Sequence, residues 1–77
     1  MKRLCGMEAI YVCYEVDDDS LRCVGTAETQ KAIDDFAYDI SRRTDYEYQV
    51  FCNIHCLEDG ACEHVYMYRI WNGVVEY

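Results

Sequence analysis

The chain contains no proline, carries only seven Lys and Arg, and has no long apolar run. Each absence excludes something. Without proline there is no polyproline segment or stiff Pro-rich linker, and neither internal repeats nor low-complexity tracts interrupt the sequence. Fifteen acidic residues face the seven basic ones, giving a net charge of -8 and an isoelectric point near 4.4. Direct nucleic-acid binding needs the opposite sign, because its affinity comes from neutralising phosphates. An anionic membrane surface is disfavoured for the same reason. No stretch approaches the ~20 apolar residues of a membrane-spanning helix. The opening "MKRLCGMEAIYVCYEV" has two basic residues, but Glu8 interrupts its apolar part and no small-residue cleavage site follows. No secretory leader is therefore expected.

What is present points to one small domain of 77 residues with 52% hydrophobic residues. A core can form, but a deep substrate cleft would be hard to carve from so short a chain. Six cysteines would suit a secreted disulfide scaffold. Most of them, however, fall inside alternating strand-like runs, where free Cys behaves as a small buried hydrophobe. Reduced thiols and a cytoplasmic location are expected.

"EAIYVCYEV" (8–16) alternates with period two, "DDDS" forms a turn, and "LRCVGT" (21–26) is a second strand. Pairing Val16 with Leu21 sets Glu15 opposite Arg22. "TAETQKAIDDFAYDISRR" reads as the helix, with Thr26 as N-cap, an apolar stripe of Ile33, Phe36, Ala37 and Ile40, and Arg42 and Arg43 in the last turn. "YEYQVFCNIHCL" and "CEHVYMYRIW" are further strands around Asp59-Gly60, and Asn72-Gly73 turns into "VVEY", opposing Arg69 to Glu76. The expected class is α+β, in the order β-β-α-β-β-β, with a largely antiparallel sheet and one amphipathic helix on one face. Ile10, Val12, Val16, Leu21, Val50, Cys52, Ile54, Val65, Met67 and Trp71 are placed on the helix side. Tyr11, Phe51, His55, Tyr66, Tyr68 and Ile70 are placed on the open face.

"CNIHCLEDGACEH" looks like a zinc ligand set, but strand geometry breaks it apart. Cys52 and His55 point to opposite faces, and Cys52 and Cys56 lie ~13 Å apart along a strand. His55, opposite His64 with Cys62 nearby, is the remaining trio. It lacks a fourth ligand, so no metal or cofactor is expected, with a small zinc-stabilised structural or interaction domain as the alternative. Cys62 with His64 is a poor thiol catalyst, since Glu58, Asp59 and Glu63 would raise the thiol pKa. Asp17, Asp19 and Glu28 mimic calcium-loop positions, yet Leu21 and Arg22 stand where a ligand and a glycine are required. No catalytic residue is assigned.

Two surfaces remain as partner-binding candidates. On the helix, Asp35 and Asp39 lie ~6 Å apart and Glu28 about 10.5 Å from Asp35, close to the phosphate spacing of a nucleic-acid strand. Lys31 and Arg43 stand at i,i+4 positions to Asp35 and Asp39 and partly neutralise them. On the open sheet face, Phe51, Tyr66 and Tyr68 would supply aromatic contacts to a partner or to a second copy.

The hairpin "YVCYEVDDDSLRCV", the acidic helix "ETQKAIDDFAYDI" and the meander "YQVFCNIHCLEDGACEHVYMYRIWNGVVEY" together resemble, in layout, size and charge, the small phage-encoded anti-CRISPR proteins. The resemblance carries no matching motif, so no functional residue is transferred. It implies a non-enzymatic inhibitor that binds the basic nucleic-acid channel or subunit surface of a CRISPR effector in the host cytoplasm.

Overall fold

In the computed structural model, which describes residues 7–56, 60 and 62–77, five antiparallel strands form one sheet with a helix packed on it. The elements run β1 (Met7–Asp17), β2 (Ser20–Ala27), α1 (Gln30–Arg43), β3 (Glu47–Cys56), β4 (Cys62–Trp71) and β5 (Val74–Glu76). The sheet order is β2-β1-β3-β4-β5, so the helix carries the chain over β1 to its far side. This is the expected α+β class and element order. No helix among the described residues is long and apolar enough to cross a membrane.

Local chemistry explains the hairpins. Val16 pairs with Leu21 and Glu15 with Arg22, as the alternation required. The intervening turn holds Asp18 at φ 55°, a left-handed conformation that aspartate tolerates better than most residues. Asn72 and Gly73, at φ 51° and 81°, form the β4–β5 turn with the positive φ pair of a type I′ hairpin. Arg69 meets Glu76 there at 2.8 Å. Gly60 has φ 75°, while Asp59, its expected turn partner, lies outside the described residues.

The helix starts later than Thr26. Thr26 and Ala27 are held in β2 against Val12 and Tyr11, and strand pairing overrides the capping preference of Thr26. Thr29 is the N-cap instead, its hydroxyl accepting from the Ala32 amide at 3.2 Å. At the other end Thr44 donates to the Ile40 carbonyl, and Arg42 and Arg43 lie in the last turn.

The buried face differs from the expected one on β1, β2 and β4. The core comprises Ile33 and Ala37 of the helix with Cys13, Tyr48, Val50, Tyr68 and Ile70 of the sheet. On β1 the helix side is therefore that of Tyr11, Cys13 and Glu15, and not that of Ile10, Val12 and Val16. Val12 is buried, but on the opposite face, across from Phe51. Leu21, paired with Val16, is exposed on that same face. On β4 the register shifts between Val50 and Phe51, whose partners are Tyr68 and Tyr66, leaving Met67 as the extra residue. This bulge turns Tyr68 and Ile70 inward and leaves Trp71 exposed. Val65 is paired with Cys52 but is also exposed.

Among the described residues Glu15 is the one acidic side chain in the buried layer, and both its oxygens are engaged. Arg22 donates to its Oε1 at 3.0 Å and the Tyr48 hydroxyl to its Oε2 at 3.2 Å. Thr44 lies 2.8 Å from the same hydroxyl, tying the helix C-terminus to β3, β1 and β2. Close approach of helix and sheet is set at Gly25, where an added Cβ would come within 2.7 Å of the Phe36 ring.

Two outcomes follow for stability. Ile33→Ala should lower the unfolding free energy by about 2–5 kcal/mol, a large share of the total in so small a domain, as measured by urea denaturation. Alkaline pH should also destabilise the fold. Burial, aided by Cys23, pushes the Cys13 thiol up from 9.0 to about 12, and burial raises Tyr48 and Tyr68 as well. The native state keeps these groups neutral while the unfolded chain ionises. Their contribution is complete below about pH 9 and is lost as pH climbs towards 12. Urea midpoints across that range should fall, and Cys13→Ala should flatten the decline.

Candidate functional site

One helix covers one face of the sheet, so the opposite face is open. An aromatic row crosses its three central strands: Tyr14 of β1, Phe51 of β3 and Tyr66 of β4. The Tyr14–Phe51 centroids are 5.5 Å apart at 86°, and those of Phe51 and Tyr66 are 5.5 Å apart at 75°. Edge-to-face contacts of this kind are worth ~0.5–1.5 kcal/mol beyond area burial. The row therefore stiffens the sheet as well as presenting a surface, with Tyr66 44% exposed.

Polar pairs bound the row at both ends. Towards β5, Arg69 reaches Glu47 at 3.9 Å and Glu76 at 2.8 Å, beside Trp71, whose indole donates to the Asp45 carbonyl at 3.2 Å. At the other end, His64 Nδ1 donates to Asn53 Oδ1 at 2.7 Å, and His55 Nδ1 lies 2.9 Å from Cys62 Sγ. An apolar centre with a polar rim is the anatomy of a protein-binding patch.

The expected site residues are divided by this geometry. Phe51 and Tyr66 stand on the open face as expected. Tyr68 does not: the β4 bulge buries it under the helix at 5% exposure, where its hydroxyl donates to Asp34 Oδ1. Tyr14, on the same side of β1 as Val12 and Val16, completes the aromatic row. Its signal was available in the alternation of β1, had the parity been read the other way.

The histidine–cysteine trio separates into two pairs. His55 faces Cys62 and His64 faces Asn53, so the expected opposition of His55 and His64 does not occur. Two ligands from one pair fall short of the four a structural zinc takes. Among the described residues no three His, Cys, Asp or Glu side chains stand together as a metal site. Cys56 is paired with Met7 along the backbone; Glu58 and Asp59 lie outside the described residues.

The acidic row on the helix is also altered. Asp35 and Asp39 are exposed but bound by Lys31 at 2.9 Å and Arg43 at 3.1 Å. Glu28 precedes the helix and lies with Glu8, Ala9 and Ile10 around a shallow surface hollow, out of line with the two aspartates. Arg42 donates to the Tyr38 hydroxyl at 2.9 Å and sits 5.5 Å from its ring centroid. With Arg22 and Arg69 also engaged, every described basic side chain has an internal partner. Glu8, Asp17, Asp18, Asp19, Glu28, Asp34 and Asp45 have no salt-bridged cation among the described residues. Asp17, Asp18 and Asp19 form an exposed acidic tip on the β1–β2 turn.

Compared with protein-family models, curated proteins and solved structures, the chain matches none.

Among the described residues Cys13, Cys23, Cys52 and Cys62 are free thiols, with Cys13 buried and Cys23 and Cys62 exposed. Maleimide labelling of the folded protein followed by peptide mapping should modify Cys23 and Cys62 before Cys13. Cys13 should react only at the rate of global unfolding. Early labelling of Cys13 would contradict its place in the core.

Proposed function

We propose that the chain is a non-enzymatic binding protein, a phage-type inhibitor resembling the anti-CRISPR proteins. It docks on a basic, nucleic-acid-handling partner in the host cytoplasm, such as a CRISPR effector subunit, and blocks access of nucleic acid. The carrying observation is the distribution of charge among the described residues: their basic side chains are consumed internally, while surplus carboxylates face solvent. Such a surface steers a cationic partner and repels nucleic acid.

The aromatic row would otherwise suit a nucleic-acid platform, since exposed rings on a sheet can stack bases. Around this one, however, Arg69 is held by Glu47 and Glu76, leaving no free cation on the face among the described residues to meet phosphates. Phe51 and Tyr66 instead fit the desolvated centre of a protein contact, and the same face is the one a homodimer would use. Asp35 and Asp39 contribute to the field less than the acidic tip, because Lys31 and Arg43 partly cancel them.

The reading is tested by adding the protein to purified CRISPR effector complexes and measuring target-DNA binding. Inhibition should weaken by about tenfold or more as salt rises from low to high ionic strength. Replacing Asp17, Asp18 and Asp19 together by Asn should slow association several-fold with little change in dissociation. Asn tolerates the positive φ of position 18, so the turn is kept. Phe51→Ala should act mainly on the dissociation rate. Unchanged DNA binding by every effector tried would overturn the proposal.

A further inference from the structure

A second concave surface lies on the helix side. Helix α1 packs on β1, β2, β3 and β4, and a gap opens between it and β5. The gap is a groove of about 440 Å³ with Met67, Tyr68 and Ile70 in its floor, Val75 and Tyr77 on one wall, and Asp34 and Tyr38 on the other. Gln30 and the exposed Asp35, which holds Lys31, complete the lining, and Asp34 is its half-buried carboxylate.

Asp34 is distinctive among the helix acids. Asp35 and Asp39 are each tied to a cation four residues away, whereas Asp34 has none among the described residues. Its only described hydrogen bond comes from the Tyr68 hydroxyl to Oδ1. Tyr77, 95% exposed, stands over Tyr68 with ring centroids 6.2 Å apart at 69°. A carboxylate beside tyrosine faces, in a protein of net charge -8, is complementary to a cation that can also stack. The protein already contains such a contact on the neighbouring turn, where the Arg42 guanidinium lies over Tyr38.

Resting on the reading that the partner is a basic protein, we infer that this groove receives an arginine side chain of that partner. The guanidinium donates to Asp34 and stacks on Tyr77, while the aliphatic stem runs over Met67 and Val75. Arginine fits better than lysine because its planar, weakly hydrated head can form the charge-assisted bond and the ring contact together.

The test uses a capped Gly-Arg-Gly tripeptide and its neutral citrulline counterpart, titrated into the labelled protein and followed by NMR. Saturable shifts should centre on Asp34, Tyr68 and Tyr77 with the arginine peptide and be weaker by about fivefold or more with citrulline. Asp34→Asn, which keeps an acceptor for the Tyr68 hydroxyl, should weaken binding by a similar factor. Asp17→Asn, an equal change in net charge at a distant site, should alter it less than about twofold. Tyr77→Ala, at an exposed position, should weaken it several-fold while leaving the fold intact. Equal binding of both peptides, or equal losses for the two Asp→Asn variants, would overturn the inference by reducing it to general charge attraction. The titration contains no effector, so it stands if the inhibitor reading fails. An inhibitor of DNA binding that is insensitive to both Asp34→Asn and Tyr77→Ala would instead overturn the groove and leave the wider reading in place.

Discussion

A single helix has to bury one side of a five-stranded sheet, and most of the molecule's features follow from that constraint. The fourteen-residue helix packs on β1, β2, β3 and β4. Its small and branched residues, Ala37 and Ile33, are completely buried, and the sheet answers with larger side chains, Tyr48 and Tyr68. The opposite face receives no cover, so its apolar side chains shield one another. Val12 sinks beneath neighbours on that face, and Tyr14, Phe51 and Tyr66 brace across three strands. The groove beside β5 lies between the helix and that short edge strand.

The parts of the fold legible in the sequence are those governed by near neighbours. Turn residues set the β1–β2 and β4–β5 registers, and the pairs Glu15–Arg22, Lys31–Asp35, Arg43–Asp39 and Arg69–Glu76 all form. Which face of β1 is buried was not legible, because both faces carry apolar side chains. Glu15 also marked the true core side as solvent-facing. Its burial is tolerated only through Tyr48, 33 positions away, and Arg22, and no local pattern announces that partnership. The β4 bulge had a similar effect. One extra residue at Met67 exchanged the roles expected for Tyr68 and Trp71, and an uninterrupted alternation cannot reveal where such a residue sits.

The candidate surfaces inherited these two errors of parity. Phe51 and Tyr66 keep their expected place on the open face, because Val50 points inward as expected and Tyr66 precedes the bulge. Tyr68 crossed to the core and thereby became the floor of the groove, holding Asp34 by its hydroxyl. Asp34 was passed over in the sequence because it falls between the exposed and buried stripes of the helix. That intermediate position is what places it against an aromatic wall.

The same electrostatic logic separates the two surfaces chemically. On the open face, Arg69 is already neutralised by two glutamates, so the rings between the polar ends offer an apolar contact with little local charge. In the groove, the half-buried Asp34 accepts from the Tyr68 hydroxyl and has no salt-bridged cation among the described residues. Lower exposure strengthens its attraction for an incoming charge and raises the penalty of leaving it unmatched. A basic partner meeting both surfaces would be drawn in by the diffuse field and held by the rings. The groove would discriminate among approaching side chains, because a neutral or acidic one would leave Asp34 desolvated and unpaired.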